Sequence, residues 1–118
     1  MQFKGVHHVS INVRNVEEAR TFYVEKLGLK ILQRPDLGYP GYWLKAGEQE
    51  IHLIGIDSGK PLKEQHFALN VDSVDETISS LIKLKIKVSK PIVTADICRA
   101  VFIHDPSGNM IEFNERIS

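Results

Sequence analysis

The sequence predicts an α+β chain built from two copies of one strand–helix–three-strand unit. Three observations carry that reading. HHVSINVRNVEEARTFY (His7–Tyr23) aligns with QHFALNVDSVDETISSL (Gln65–Leu81), so that His8 falls on His66, Asn12 on Asn70, Val13 on Val71, Val16 on Val74 and Glu18 on Glu76. EIHLI (Glu50–Ile54) matches MIEFN (Met110–Asn114), which sets His52 against Glu112. Between the copies lies DSGKPLKE (Asp57–Glu64), a polar stretch with the Ser, Gly and Pro of a connector. A unit of this size cannot bury both faces of its own sheet, so the two copies are expected to pack together.

The elements follow in order. Val9, Ile11 and Val13 alternate with His8, Ser10 and Asn12, the period of a half-buried strand, here placed at Val6–Val13. Asn15 is an N-cap with Glu18 three residues on, opening a helix at Val16–Lys26 whose apolar stripe is Ala19, Phe22, Tyr23 and Leu27. Gly28 stands where a C-cap is expected. Leu29–Gln33 is a second strand, and Pro35, Gly38, Pro40 and Gly41 mark a loop. Gly41–Ala46 and Glu50–Ile56 form a hairpin around Gly47.

The pattern then restarts. Gln65–Val71 is a strand, Ser73 with Glu76 is a second capping box, and Val74–Leu84 is a helix turning Val74, Ile78, Leu81 and Ile82 inward. Ile86–Ser89 is a short strand and Pro91–Asp96 a loop; Ile97–His104 and Met110–Asn114 are strands joined by Asp105-Pro106-Ser107-Gly108-Asn109. The 118 residues thus make one domain, with module 1 at about 1–57, a linker at about 58–64 and module 2 at about 65–118.

Fifteen basic and fifteen acidic residues cancel, which removes the electrostatic footprint of a nucleic-acid or anionic-membrane binder. No apolar run approaches a membrane span, and MQFKGVHH has no signal-peptide core. A single cysteine, Cys98, forms no internal disulfide and suits a reducing cytoplasm. It reads as a small strand residue, and His7 and His104, which have no counterpart in the other half, read as structural.

Strand alternation sharpens the candidate chemistry. His8, His52, His66 and Glu112 each lie opposite the main apolar set of their strand. With helices covering the apolar faces, the four are expected to project into a concavity and converge. Imidazole and carboxylate are ligands for Zn, Ni, Fe, Co and Mn. A held ion polarises carbonyls, and a carboxylate that detaches from it becomes a general base. The expected metal ligands are therefore His8, His52, His66 and Glu112, with Glu112 also catalytic.

HHVSINVRNVEEARTFYVEKLGLKI, EIHLI, HFALNVD and DPSGNMIEF together resemble the vicinal oxygen chelate superfamily, over nearly the whole chain. That group includes glyoxalase I, methylmalonyl-CoA epimerase, extradiol dioxygenases, fosfomycin thiol transferases and bleomycin-resistance proteins. The resemblance implies paired βαβββ modules forming a curved mixed sheet around a central cavity with a divalent metal. It also implies a metal-dependent lyase or isomerase for a small α-oxygenated carbonyl substrate, acting as a homodimer. His52 departs from glyoxalase I and the epimerase, which usually carry glutamate there. The alternatives are a drug-sequestering dimer walled by Tyr39, Tyr42 and Trp43, a thiol transferase in which Arg34, Lys45 and Arg99 meet a phosphonate, and an extradiol dioxygenase.

Overall fold

The computed structural model describes residues 1–117. The chain forms two compact units, Met1–Pro61 and Leu62–Ser118. Each is a four-stranded mixed sheet with one helix, and the two share a topology. The first unit runs β1 (His8–Asn12), α1 (Val16–Arg20, continued by a π-helical segment Thr21–Lys26), β2 (Lys30–Leu32), β3 (Gly41–Ala46) and β4 (Gln49–Ile54). The second runs β5 (His66–Asn70), α2 (Val74–Lys83), β6 (Ile92–Thr94), β7 (Cys98–His104) and β8 (Met110–Arg116). The sheet orders are β1-β4-β3-β2 and β5-β8-β7-β6. In each the first strand pairs parallel with the last, and the other pairs are antiparallel.

The helix starts are local chemistry. The Asn15 side chain accepts from the Glu17 and Glu18 amides, and Ser73 Oγ accepts from the Glu76 amide. These bonds satisfy amide groups that the first turn leaves without carbonyl partners. In α2 the Val74 amide donates to the Glu115 carboxylate at 2.7 Å, so β8 helps to seat the helix. The π winding after Arg20 places consecutive Phe22 and Tyr23 in the core, at 5% and 0% exposure. Each helix lies over its own sheet, against Leu44, Ile51 and Leu53 in the first unit and Val101, Ile103, Ile111 and Phe113 in the second.

Several boundaries differ from the sequence reading. Val6 lies outside β1 and is exposed. Ile82 is 63% exposed, so the inward face of α2 is Val74 and Leu81 with Ile78 half-buried. The sixth strand is Ile92–Thr94, within the stretch expected to be a loop, and Ile86–Ser89 is not a strand. The reason is the end of α2. Lys85 takes a positive φ, its amide bonds the Ile82 carbonyl, and the Ile86 amide bonds the Leu81 carbonyl. That is the paired-bond pattern of a Schellman C-cap, and it commits Ile86 to the helix. Ser89 then meets β7 irregularly: its amide donates to the Phe102 carbonyl, while its Oγ accepts from the Phe102 amide. Regular pairing resumes past Pro91, with Ile92 opposite Ala100.

The turn from β7 to β8 sets the register of Glu112. Asp105, 5% exposed, accepts from the amides of Ser107 and Asn109 and from the Asn109 side chain. A buried carboxylate needs such partners, and they fix the DPSGN turn that feeds β8.

Candidate metal centre

Alternation holds at all four predicted positions. In β1 and β5 the even-numbered residues, His8 and His66 among them, are exposed while their neighbours are half-buried. In β4 and β8, His52 and Glu112 are half-buried between fully buried Ile51 and Leu53, and Ile111 and Phe113. Among the described residues no group of three or more His, Cys, Asp or Glu side chains is arranged to hold an ion. The candidate donors stand as a pair in each unit.

In the second unit His66 Nε2 is 3.0 Å from Glu112 Oε1. The His66 Nδ1 lies 2.8 Å from the Glu64 carbonyl oxygen, which only accepts, so Nδ1 carries the proton. Glu64 delivers that carbonyl from a left-handed backbone, φ 70°. On the other side of the pair, Asn114 Nδ2 donates to Glu112 Oε2 at 2.7 Å. Both donors are thus oriented from behind, the arrangement that metal ligands use. The Glu64 carbonyl bond first, and then the Glu112 bond, raise the His66 pKa above 6.5 against the opposing effect of burial. With Nδ1 committed, Nε2 faces the carboxylate through a proton. A separation of about 3.0 Å is also what two neighbouring ligands on one octahedral ion would span at about 2.1 Å each. The pair therefore fits a divalent ion, which would take the proton's place.

The first unit places its pair differently. His8 and His52 come together, but face to face: their ring centroids are 3.9 Å apart at 14°. Trp43, opposite His52 in the β3–β4 ladder, stacks on His52 at 4.6 Å and 12°. Lone pairs of stacked imidazoles run nearly parallel in their planes, so one ring must turn before both nitrogens address one ion. His52 Nε2 is meanwhile 2.9 Å from Glu50 Oε1, and this bond holds the Glu50 carboxyl below its usual range. His8 is held below 6.5 by desolvation first, then by His52 and His7; the neutral form this favours is the one that binds metal.

Glu50 was missed in the sequence. It lies two residues before His52, on the same strand face, and opposite His8 in the parallel register. Period-2 counting back from His52 was the available signal. The three aromatic residues of the alternative dimer-cleft wall each have a separate partner within the unit. Tyr42 bonds Glu17 and sits near Arg20, Trp43 faces His52, and the Tyr39 ring lies 5.0 Å from the Arg34 guanidinium carbon. Adjacent strand positions 42 and 43 point to opposite faces. Two of the three basic residues have other partners: Arg34 donates to the Tyr39 carbonyl oxygen, and Arg99 pairs with Asp75 at 3.1 Å.

A model of the glyoxalase/bleomycin resistance protein/dioxygenase superfamily matches residues 5–113. The chain belongs to that superfamily. Its members are generally metal-dependent, bind small molecules and are commonly dimers. Among curated proteins the chain is similar to Glyoxylase I 4 of Arabidopsis thaliana, 28% identical over 95% of this chain and 71% of that one. Among solved structures it resembles a glyoxalase family protein from Enterococcus faecalis, with 31% identity, a TM-score of 0.81, and coverage of 98% of this chain and 100% of that one. It also resembles an antibiotic binding protein from Streptomyces sp. CB03234, with 26% identity, a TM-score of 0.83 and 98% coverage of both chains. Among the described residues no helix is long and apolar enough to cross a membrane.

Proposed function

We propose that this chain is a metal-dependent lyase or isomerase of glyoxalase type, acting on a small α-oxygenated carbonyl compound. The observation that carries this reading is the His66–Glu112 pair, with Nδ1 tied to a carbonyl and the carboxylate tied to Asn114. The proposed ligands are His66 and Glu112 in the second unit and His8 and His52 in the first. The ion is Zn, Ni, Mn, Fe or Co, and the working form is a cytoplasmic homodimer. When bound, the ion would polarise a carbonyl whose neighbouring oxygen it also holds.

The chain's own residues supply the proton chemistry. Glu112 is anchored through Oε2 by Asn114, and Oε1, once released from His66 Nε2, would accept a proton from the carbon beside the carbonyl. His66 keeps its ring fixed throughout, because Nδ1 stays on the Glu64 carbonyl. His52 and Glu50 form a second hydrogen-bonded pair able to hold a proton.

The test is elemental analysis of untagged protein loaded with each of the five ions, followed by assay against α-hydroxy and α-oxo carbonyl compounds. Stoichiometric binding and turnover that both depend on Glu112 are expected. Failure to bind any of these ions stoichiometrically overturns the reading. A second reading, sequestration of a drug without catalysis, draws on the similarity to the antibiotic binding protein. Tight ligand binding by metal-free protein, with no turnover when loaded, would favour it.

A further inference from the structure

The second unit contains a cavity of about 540 Å³ beside His66. Its walls are apolar, from Val88, Ile92, Phe102 and Met110. Phe102 meets the His66 ring edge-on at 5.4 Å, so the wall and the candidate metal ligand are in direct contact. Four polar groups besides His66 line the same space: Glu64, Lys87, Ser89 and His104. Ser89 is spent on the fold, since its Oγ donates to the Lys90 carbonyl and accepts from the Phe102 amide. Glu64 contributes the carbonyl that fixes His66. Lys87 has no such duty. It makes no ion pair or side-chain hydrogen bond among the described residues, and neither does the His104 side chain. An apolar chamber with a few convergent polar groups is the usual form of a small-molecule site. Lys87 makes no ion pair with the Glu64 that shares the lining, so its ammonium is left to select the charge of the occupant.

We propose that this cavity is the binding subsite for the apolar, anion-bearing portion of the substrate. Lys87 pairs with a carboxylate or sulfonate, and His104 is a second donor to it. Phe102, Ile92, Val88 and Met110 hold the hydrocarbon or aryl body. This rests on the proposed function, which puts the reacting end at His66 and Glu112. The substrate class is then an α-oxygenated carbonyl compound carrying an apolar chain or ring and an acidic group.

Two fluorescent probes with one apolar body separate the contributions: 1-anilinonaphthalene-8-sulfonate and its uncharged analogue N-phenyl-1-naphthylamine. Titrations use the full chain, with binding of Zn, Ni, Mn, Fe and Co measured on the same preparations. The wild type is expected to bind the sulfonate roughly tenfold tighter than the neutral dye. Lys87→Met should erase that preference by weakening the sulfonate alone. Lys83→Met, an exposed position on α2, should leave it intact. Unchanged neutral-dye affinity in Lys87→Met shows that the chamber still folds. Equal affinity of the two dyes in the wild type, or a preference that survives Lys87→Met, overturns the proposal. A preference for the sulfonate in protein that binds none of the five ions would uphold the subsite and sink the metal-dependent reading instead.

Discussion

The two units share a backbone plan and differ in what that plan does to an equivalent pair of side chains. Trp43 and Phe102 occupy matching places, each directly across its ladder from the residue in question, His52 in one unit and Glu112 in the other. An indole beside an imidazole gives a parallel stack, and His8 extends it. A phenyl ring beside a carboxylate has nothing to stack on. Phe102 turns its edge to His66, and the imidazole is left in line with the carboxylate. One substitution in the repeat, Glu112 against His52, thus separates a hydrogen-bonded donor pair from one stacked among its own aromatic contacts.

The largest expected effect breaks the second pair. His66→Ala should lower zinc affinity by more than about 100-fold, since even loss of an orienting partner costs 10–100-fold. His52→Ala should cost less, because that ring is engaged by Glu50 and Trp43; competition titration with a chelating dye measures both. If the two variants lose affinity equally, the contrast between the units is wrong. Next in size is Asn114→Leu, expected to weaken zinc roughly tenfold by releasing Glu112 Oε2. The matched position in the first unit, Ile54, is apolar, so Ile54→Val should leave zinc affinity unchanged.

Proton affinity offers a sharper comparison in metal-free protein. His66 titrates above 6.5 and His8 below it. The stability contributed by protonated His66 is therefore complete below about pH 6.5 and is lost as pH rises through its folded pKa. For His8 the sign reverses: the contribution of its neutral form is present above about 6.5 and is lost as pH falls through its lower folded value. Histidine ring resonances followed by NMR should show the two midpoints on opposite sides of 6.5. Glu112→Gln should move His66 downward without affecting His8. A common midpoint would remove the distinction.

The smallest effects concern the scaffold. Asn15→Ala and Ser73→Ala should each destabilise by about 1 kcal/mol in chemical denaturation. Asn15 is expected to cost more, because it accepts two amides where Ser73 accepts one.

Much of this was legible in the chain. The repeat, both N-caps, the hairpin of β3 and β4 and the face of every candidate donor follow from local patterns, because alternation in a strand is a property of the backbone itself. The short sixth strand was misplaced because the Schellman cap after α2 consumes Ile86, and the left-handed Lys85 that forms it is not a glycine. The π segment was invisible for a related reason: Phe22 and Tyr23 suit an ordinary amphipathic helix equally well, and core packing selects the wider turn.

The sequence by itself determined which side of each sheet His8, His52, His66 and Glu112 occupy, and the alternate apolar residues that seat them. Only the tertiary structure decided how those side chains meet. It brought Glu50 onto His52, opened a cavity beside His66 with Lys87 on its rim, and stacked one pair while aligning the other. The physical reason is that period two fixes a direction from the sheet, whereas ring orientation and hydrogen-bond partners are set by cross-strand neighbours far away in the chain.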